Sequence, residues 1–322
     1  MAKQKKMKVF ITGGEGFIGS SLTSKLLALG HDVATYDCLL TFINNQPYFQ
    51  RSIEIRRQHF KQPQKKYSGD IRDYSRLKYA IEDFNPDIIV HLAGLPMARV
   101  LPEYADQMAP INMQGTLNVT QIFEKSSATR LVYTSSSMAY GHFKQTPQTE
   151  SFILDPTNEY GACKAAGEYF VKLSEKEWVI VRPTSVYGLA DAANRVTQLL
   201  LDAAHLNKPA WVVEGETLDF SYIEDVTDGF VLLITKPEAN HETFNISRGE
   251  ARSAAEFAKI VKKLFPKLDL EIRQPSKQQV WRGPLDISKA KSMLGFESKY
   301  SIEDGIAETV ELINRYEFYK GL

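Results

Sequence analysis

Tyr160 and Lys164 stand four residues apart in the segment Tyr160-Gly161-Ala162-Cys163-Lys164. The segment reads as the first turn of a helix, which brings a phenol and an ammonium out on one face. A free tyrosine gives up its proton near pH 10, and a cation held close stabilises the phenolate and brings it towards a usable general base. An amphipathic helix with a core tyrosine would show the same spacing. A second group strengthens the chemical reading: the run Val132-Tyr133-Thr134 ends in Ser135-Ser136-Ser137-Met138-Ala139-Tyr140-Gly141. A serine at a strand end can donate a hydrogen bond to a substrate oxygen while Tyr160 takes its proton, although a serine-rich turn is commonplace. That chemistry is the oxidation of a hydroxyl, and it needs a carrier for the hydride released from carbon.

The carrier's place is written near the start. Val9-Phe10-Ile11-Thr12-Gly13-Gly14-Glu15-Gly16-Phe17-Ile18-Gly19 sets a glycine-rich turn between a strand and a helix. Gly13 permits the tight turn, Gly16 lets the backbone approach a pyrophosphate, and Gly19 allows close helix packing. Phe17 and Ile18 open the helix whose N-terminus faces the negative charge. Asp37 ends the second strand roughly 20 residues further on, where an acid accepts hydrogen bonds from the adenosine ribose hydroxyls and repels a phosphate there. NAD is therefore favoured over NADP. Asp70 and Ile71 are assigned to the adenine end, with a simple turn residue as the alternative for Asp70. Leu92, Ala93 and Gly94 follow the fourth strand at the carboxyl edge of the sheet, where a dinucleotide crosses. His91 reads as structural.

These residues need a scaffold, and short apolar runs alternating with helical patterns supply one at 8–11, 22–29, 32–36, 74–84, 87–91 and 130–134. The alternation means βαβ units, so the expected fold is α/β, a Rossmann-type doubly wound parallel sheet. Asp73 is placed as the N-cap of the 74–84 helix, and Asn85-Pro86 stops it. The stretch 42–66, with Arg51, Arg56, Arg57, Lys61, Lys65 and Lys66, lacks the pattern of a core element. It reads as a solvated helix face, or alternatively as a basic flap near a phosphate-bearing ligand. After about residue 188 the elements become shorter and mixed: helices near 195–205, 254–264 and 302–316 and a strand at 211–213. The expected division is a dinucleotide-binding domain over 1–188 carrying the catalytic residues, and a smaller mixed α/β substrate lobe over 189–322, with some chain crossing between them.

Bulk properties exclude other classes. With 322 residues and 43% hydrophobic content the chain can bury a large core. Its 39 basic and 39 acidic residues cancel, leaving no global field for nucleic acid or an anionic membrane. Cys38 and Cys163 sit in no metal-ligand spacing, which suits a reducing cytoplasm without zinc. The basic start, residues 3–8, lacks the apolar segment of a signal peptide, and no apolar run approaches the roughly 20 residues needed to span a bilayer.

Taken together, the glycine loop, Asp37, the serine cluster and the Tyr160–Lys164 pair resemble the extended short-chain dehydrogenase/reductases, in particular the NAD-dependent epimerase/dehydratase family. The resemblance extends through Asn112 with Gly115-Thr116-Leu117-Asn118, Arg182-Pro183 with Val186-Tyr187-Gly188, Asp219-Phe220 with Asp225-Val226, Phe244-Asn245-Ile246 and Leu294-Gly295-Phe296. It implies that the catalytic hydroxyl is Ser136, counted back from Tyr140-Gly141, with Ser137 beside it towards the substrate. It also implies that Lys164 holds the nicotinamide ribose, that Pro183 lines the nicotinamide end, and that the chain forms a homodimer through helices near 112–124 and 160–173. The substrate implied is a small nucleotide-linked sugar.

Departures from the family pattern narrow the reaction. Dehydratases of this family carry Asp-Glu after the catalytic hydroxyl residue, whereas this chain has Ser137-Met138, so dehydration is not expected. Leu218 stands where many nucleotide-sugar epimerases have an arginine, and Ser185 where an asparagine often contacts phosphate. Arg195 and Arg282 remain to clamp a diphosphate, or are ordinary surface arginines. The leading expectation is 4-epimerisation through a transient 4-keto sugar. A 4-dehydrogenase or reductase with recycled cofactor would use the same Ser136, Tyr160 and Lys164, and a non-catalytic dinucleotide-binding sensor is the reading from another class. No metal is expected.

Overall fold

The computed structural model describes residues 6–40, 45–96, 106–275 and 282–322. The first half runs β1 (Lys8–Thr12), α1 (Phe17–Ala28), β2 (Asp32–Asp37), α2 (Gln46–His59), β3 (Lys65–Ser68), α3 (Tyr74–Phe84) and β4 (Ile88–His91). A π-turn at Pro110–Gln114 leads into α4 (Gly115–Lys125), followed by β5 (Arg130–Thr134), α5 (Glu159–Lys172), β6 (Glu177–Pro183) and β7 (Val186–Tyr187). Among the described residues the main sheet has seven strands in the order β11-β6-β5-β4-β1-β2-β3, with β11 at Glu242–Ile246. All of its pairings are parallel. The order reverses between β1 and β4, and a crevice opens at the carboxyl ends of those two strands.

Side-chain alternation explains why the sheet is covered on both faces. Val9, Ile11, Val33, Val90, Val132 and Val179 belong to one apolar cluster, and their neighbours Phe10, Ala34, Ile89, Leu131 and Ile180 to the other, as the two-residue period of a strand requires. Leu77 and Ile81 of α3 and Ile122 and Phe123 of α4 cover the second face. Leu22 and Leu26 of α1 cover the first, together with Val226, Phe230 and Leu233 of α7 (Ile223–Thr235). Helix α3 begins and ends where its sequence signals put it: Asp73 accepts a bond from the Arg76 N–H, and Asn85 closes the helix in a left-handed conformation.

The rest of the chain adds α6 (Val196–Leu206), β8 (Ala210–Val213), β9 (Thr217–Leu218), β10 (Ser221–Tyr222), β12 (Arg252–Ser253), α8 (Ala254–Leu264), β13 (Leu270–Arg273), α9 (Ser288–Leu294) and α10 (Ile302–Arg315). Short pairs β8–β13, β9–β12 and β7–β10 tie these together. Strand β11 and helix α7 cross back to complete the main sheet and its first covering layer, and the first apolar cluster continues without a break into Phe257, Val261 and Ile306. Among the described residues no helix is long and apolar enough to cross a membrane.

One expectation needs correcting. The stretch 42–66 includes α2, which has an inward face: Tyr48, Ser52, Ile53, Ile55 and Arg56 are buried. The pattern was obscured because a charged residue, Arg56, occupies a position on that face, and its guanidinium finds backbone carbonyls there rather than water. Residues 41–44 lie outside the described structure.

Candidate active site

A cleft of about 950 Å³ lies at the carboxyl edge of the sheet, lined also by residues of 191–220 and by Arg282. At its sheet end the glycine loop is built of close backbone approaches. A Cβ on Gly13, whose φ is +74°, would sit 2.7 Å from the Ala93 nitrogen, and one on Gly19 would sit 2.1 Å from the Gly13 oxygen. The first turn of α1 has no side-chain cap and no acidic residue, so its amides at Phe17 and Ile18 are free to meet an anion. Asp37, at the end of β2, accepts from the N–H groups of Glu15 (3.0 Å) and Leu39 (2.9 Å), and burial pushes its carboxyl up. Asp70 lines the cleft, but its carboxylate is already held by Arg72 at 2.7 Å. Burial raises the Asp70 carboxyl, and the Arg72 bonds outweigh it, leaving it below its usual range. Ile71, Leu92, Ala93 and Gly94 complete this wall. The uncapped helix end, the glycine cradle and the acid at the end of β2 fit an adenine dinucleotide.

The catalytic candidates meet where β5 and α5 end on this cleft. Asn158 caps α5 by accepting from the Gly161 N–H at 2.8 Å, and a Cβ on Gly161 would meet the Met138 carbonyl oxygen at 2.4 Å. That tight packing brings the helix against the short 3₁₀ turn Ser137–Tyr140, and so brings Tyr160 to Ser136. Burial pushes the Tyr160 phenol up, while the Arg195 charge and a hydrogen bond with Ser136 act in the opposite direction. Lys164, 6% exposed, donates to the Thr134 carbonyl at 2.9 Å and lies 5.8 Å from the centre of the Tyr160 ring. Burial lowers its pKa to about 8, so at neutral pH it still carries the charge that would favour a phenolate.

The serine cluster resolves by direction. Ser135 donates to Glu168 at 2.6 Å, and Glu168, itself buried, is gripped by Arg182 through bonds of 2.8 and 2.6 Å. Ser136 faces Tyr160, and Ser137 lines the cleft beside it. His91 bridges Thr12 (2.7 Å) and Thr116 (3.0 Å), and burial pushes its pKa down to about 3, which keeps it neutral. Asn112, within the π-turn, accepts from the Leu95 N–H at 2.8 Å and fixes the backbone after β4; local helix distortions of this kind recur at functional sites.

Across the cleft the two arginines differ. Arg195, at the start of α6, is paired with Asp191 at 2.5 Å. Arg282 contacts the Met138 sulfur at 3.4 Å through Nη1, and its buried Nε has no partner among the described residues. Burial lowers the Arg282 pKa, with Glu216 pulling the other way. An unmatched buried guanidinium N–H carries a desolvation cost that an anionic ligand would relieve. Its carbonyl accepts from the Thr217 hydroxyl at 2.5 Å, and three residues further on the Leu285 N–H donates to Asp219 at 3.0 Å. Pro183 and Ser185 form the rim between the halves. Ser185, Ala190 and Asn194 all have positive φ, of 40°, 60° and 52°, and such bends in non-glycine residues persist where the surroundings enforce them.

Every residue expected from sequence thus borders one cleft. What sequence reading passed over are Glu15 and Arg56, which join the glycine loop to α2. The available signal was the Tyr48, Ser52, Ile55 spacing behind Asn45, which caps α2 by accepting from the Tyr48 N–H. Among the described residues no group of acids, histidines or cysteines is placed to hold a metal ion.

The sequence profile of the NAD dependent epimerase/dehydratase family matches residues 9–247. A UDP-glucose 4-epimerase of Mycolicibacterium smegmatis is 26% identical over 95% of this chain and 98% of its own length. Among solved structures, a Thermus thermophilus UDP-glucose 4-epimerase in complex with NAD superimposes with a TM-score of 0.84 at 24% identity, covering 98% of this chain and all of that one. The Bordetella bronchiseptica enzyme WbmG, in complex with NAD and UDP, gives a TM-score of 0.83 at 23% identity over 98% and 97% of the two chains. The likeness of fold covers 98% of the chain, and the family profile spans the glycine loop, Ser136, Tyr160 and Lys164. The chain belongs to the NAD-dependent epimerase/dehydratase family, and NAD is the cofactor its cleft receives.

Proposed function

We propose that the protein is a nucleotide-sugar 4-epimerase acting on a uridine diphosphate sugar. The observation that carries this reading is the placement of Tyr160, Ser136 and Lys164 in one cleft with a glycine-rich dinucleotide cradle and with Arg282, whose buried Nε has no partner among the described residues. Relatives named as UDP-glucose 4-epimerases support the choice of nucleotide.

In this reading Tyr160 takes the proton from the 4-hydroxyl as the C4–H bond is broken, and Ser136 donates a hydrogen bond to the same oxygen as it becomes a carbonyl. Lys164 holds the phenolate by charge and would help hold the nicotinamide ribose. Bound NAD would supply the acceptor, and then the donor, of the C4 hydride. Arg282, helped by Arg195, retains the diphosphate while the 4-keto sugar turns over, and Ser137 and Ser185 contact the sugar and phosphate side. Tyr160 then gives its proton back to the oxygen on the inverted carbon. The substrate leaves with no net change of oxidation state.

The first test is incubation with UDP-glucose, following the sugar by proton nuclear magnetic resonance and the cofactor by NADH absorbance. Appearance of the 4-epimer without lasting NADH is expected. NADH accumulating with a stable keto sugar would replace the reading with a dehydrogenase.

We also assign the lobes to 1–188 for cofactor and catalysis and 189–322 for substrate, and place the enzyme in the cytoplasm, in keeping with the free thiols of Cys38 and Cys163. The proposed homodimer pairs α4 and α5, where Tyr169 and Leu173 are exposed; a monomer mass by sedimentation would remove it.

A further inference from the structure

Helix α2 has no place in the chemistry above, yet it touches both sides of the cleft. Arg56 is 3% exposed. Its Nε–H donates to the Glu15 carbonyl of the glycine loop at 3.2 Å, and its Nη1–H to the Ala190 carbonyl at 2.6 Å, in the bend before α6. Glu15 is itself fastened from three directions: Arg57 at 2.8 Å and Lys66 at 2.7 Å hold its carboxylate, and Asp37 accepts its N–H. One turn or two earlier on α2, the Tyr48 hydroxyl donates to Asp202 of α6 at 3.0 Å, and Arg51 donates to the Tyr316 carbonyl beyond α10 at 2.9 Å. The bend that Arg56 holds leads through Asp191 to Arg195, whose guanidinium lies 5.9 Å from the ring of Phe17 in the first turn of α1.

The glycine loop and the bend at 190–195 both line the cleft, so a dinucleotide seated on the loop would be released more easily if the two moved apart. Two buried, charge-assisted hydrogen bonds from one guanidinium span that gap. We propose that Arg56 is a positioning residue for the cofactor: by bonding the glycine loop to the bend before α6, it sets how long the enzyme keeps its NAD. A long-held cofactor is what an epimerase needs to return each hydride to the sugar it came from, so the inference deepens the proposed function and rests on NAD being the cofactor. The clamp bonds two main-chain carbonyls. It depends on α2 presenting a guanidinium between them.

The test is the rate at which bound NAD leaves the purified holoenzyme after dilution, with the NAD dissociation constant measured by calorimetry, in Arg56→Met, Arg56→Lys and Tyr48→Phe. Arg56→Met should speed release and weaken NAD about tenfold or more, since both charge-assisted bonds are lost. The loss should fall on the NAD constant far more than on kcat at saturating NAD. Arg56→Lys, which keeps the charge but cannot fork between two carbonyls, should lie between, and Tyr48→Phe should shift release in the same direction by a smaller factor. Release at the parental rate from Arg56→Met overturns the proposal; if that variant does not fold, parental release from both Arg56→Lys and Tyr48→Phe does so. The readout needs no sugar, so a protein inactive on every nucleotide sugar would sink the epimerase reading and leave this one standing.

Discussion

The two halves of the cleft are made differently. The half assigned to the cofactor is largely backbone, three glycines, an uncapped helix end and a run of chain after β4, with Asp37 and Lys164 as its proposed side chains. The half proposed for the substrate is side chains, carried by segments as far apart as Ser137, Ser185, Arg195 and Arg282. A backbone site is specified by a short contiguous motif and tolerates little change, because any Cβ meets main chain. A side-chain site is assembled by the tertiary fold, and single residues in it can be exchanged for a new ligand while the scaffold stays. The difference explains how one cofactor cradle can serve many substrates.

Substitutions can separate the halves. Tyr160 sits on the seam, so Tyr160→Phe should lower kcat by roughly a thousandfold or more while leaving NAD and nucleotide-sugar affinity within twofold by calorimetry; retained turnover would take Tyr160 out of the mechanism. Gly19→Val should strike the cofactor half alone, because its Cβ would lie 2.1 Å from the Gly13 oxygen. NAD should no longer co-purify, and added NAD should bind on the order of a hundredfold more weakly than in the parent. Arg282→Leu should strike the other half, raising KM for the nucleotide sugar about ten- to a hundredfold with the NAD constant unmoved. If Gly19→Val and Arg282→Leu each disturbed both constants alike, the division into two halves would fail.

The smallest effect expected is on stability. Asp202 accepts from Tyr48 at 3.0 Å and Tyr319 at 2.6 Å, and burial pushes its pKa from 3.8 up to about 6. The native state therefore holds this proton at pH values where the unfolded chain has lost it. The resulting stability is full below pH 3.8 and is lost as pH rises through about 6. Asp202→Asn should flatten the dependence of unfolding free energy on pH across that window, by about 3 kcal/mol at most. An unchanged slope in urea titrations at pH 4 and 6 would assign the dependence to other groups.

These contrasts also account for what could be read from the chain alone. Asp73 and Asn85 bound α3 because caps act within four residues of the helix they stop. The glycine loop and the Tyr160–Lys164 pair are legible for the same reason, each being local. Residue type alone does not separate Ser135 from Ser136, which family resemblance picked out; the physical difference is that Ser135 is bonded to Glu168, 33 residues away. Arg56 looks like a surface charge because its partners lie 41 and 134 residues off in the chain and are carbonyls, which leave no mark in a side-chain pattern. Arg282 was found through family resemblance, but its orphaned Nε, the feature that argues for an anion, exists only in three dimensions.

The return of β11 to the main sheet governs how the molecule can be made. A chain ending at residue 188 would possess the glycine loop, Ser136, Tyr160 and Lys164, and would still lack the strand that pairs with β6 along Val179 to Pro183. Its apolar strand Glu177–Pro183 would then end the sheet with open N–H and C=O groups, an invitation to intermolecular pairing. During synthesis the same edge stays bare until residues 242–246 emerge from the ribosome. The cofactor-binding half is complete in its chemistry well before it is safe from aggregation, so the nascent protein must wait for its own C-terminal third.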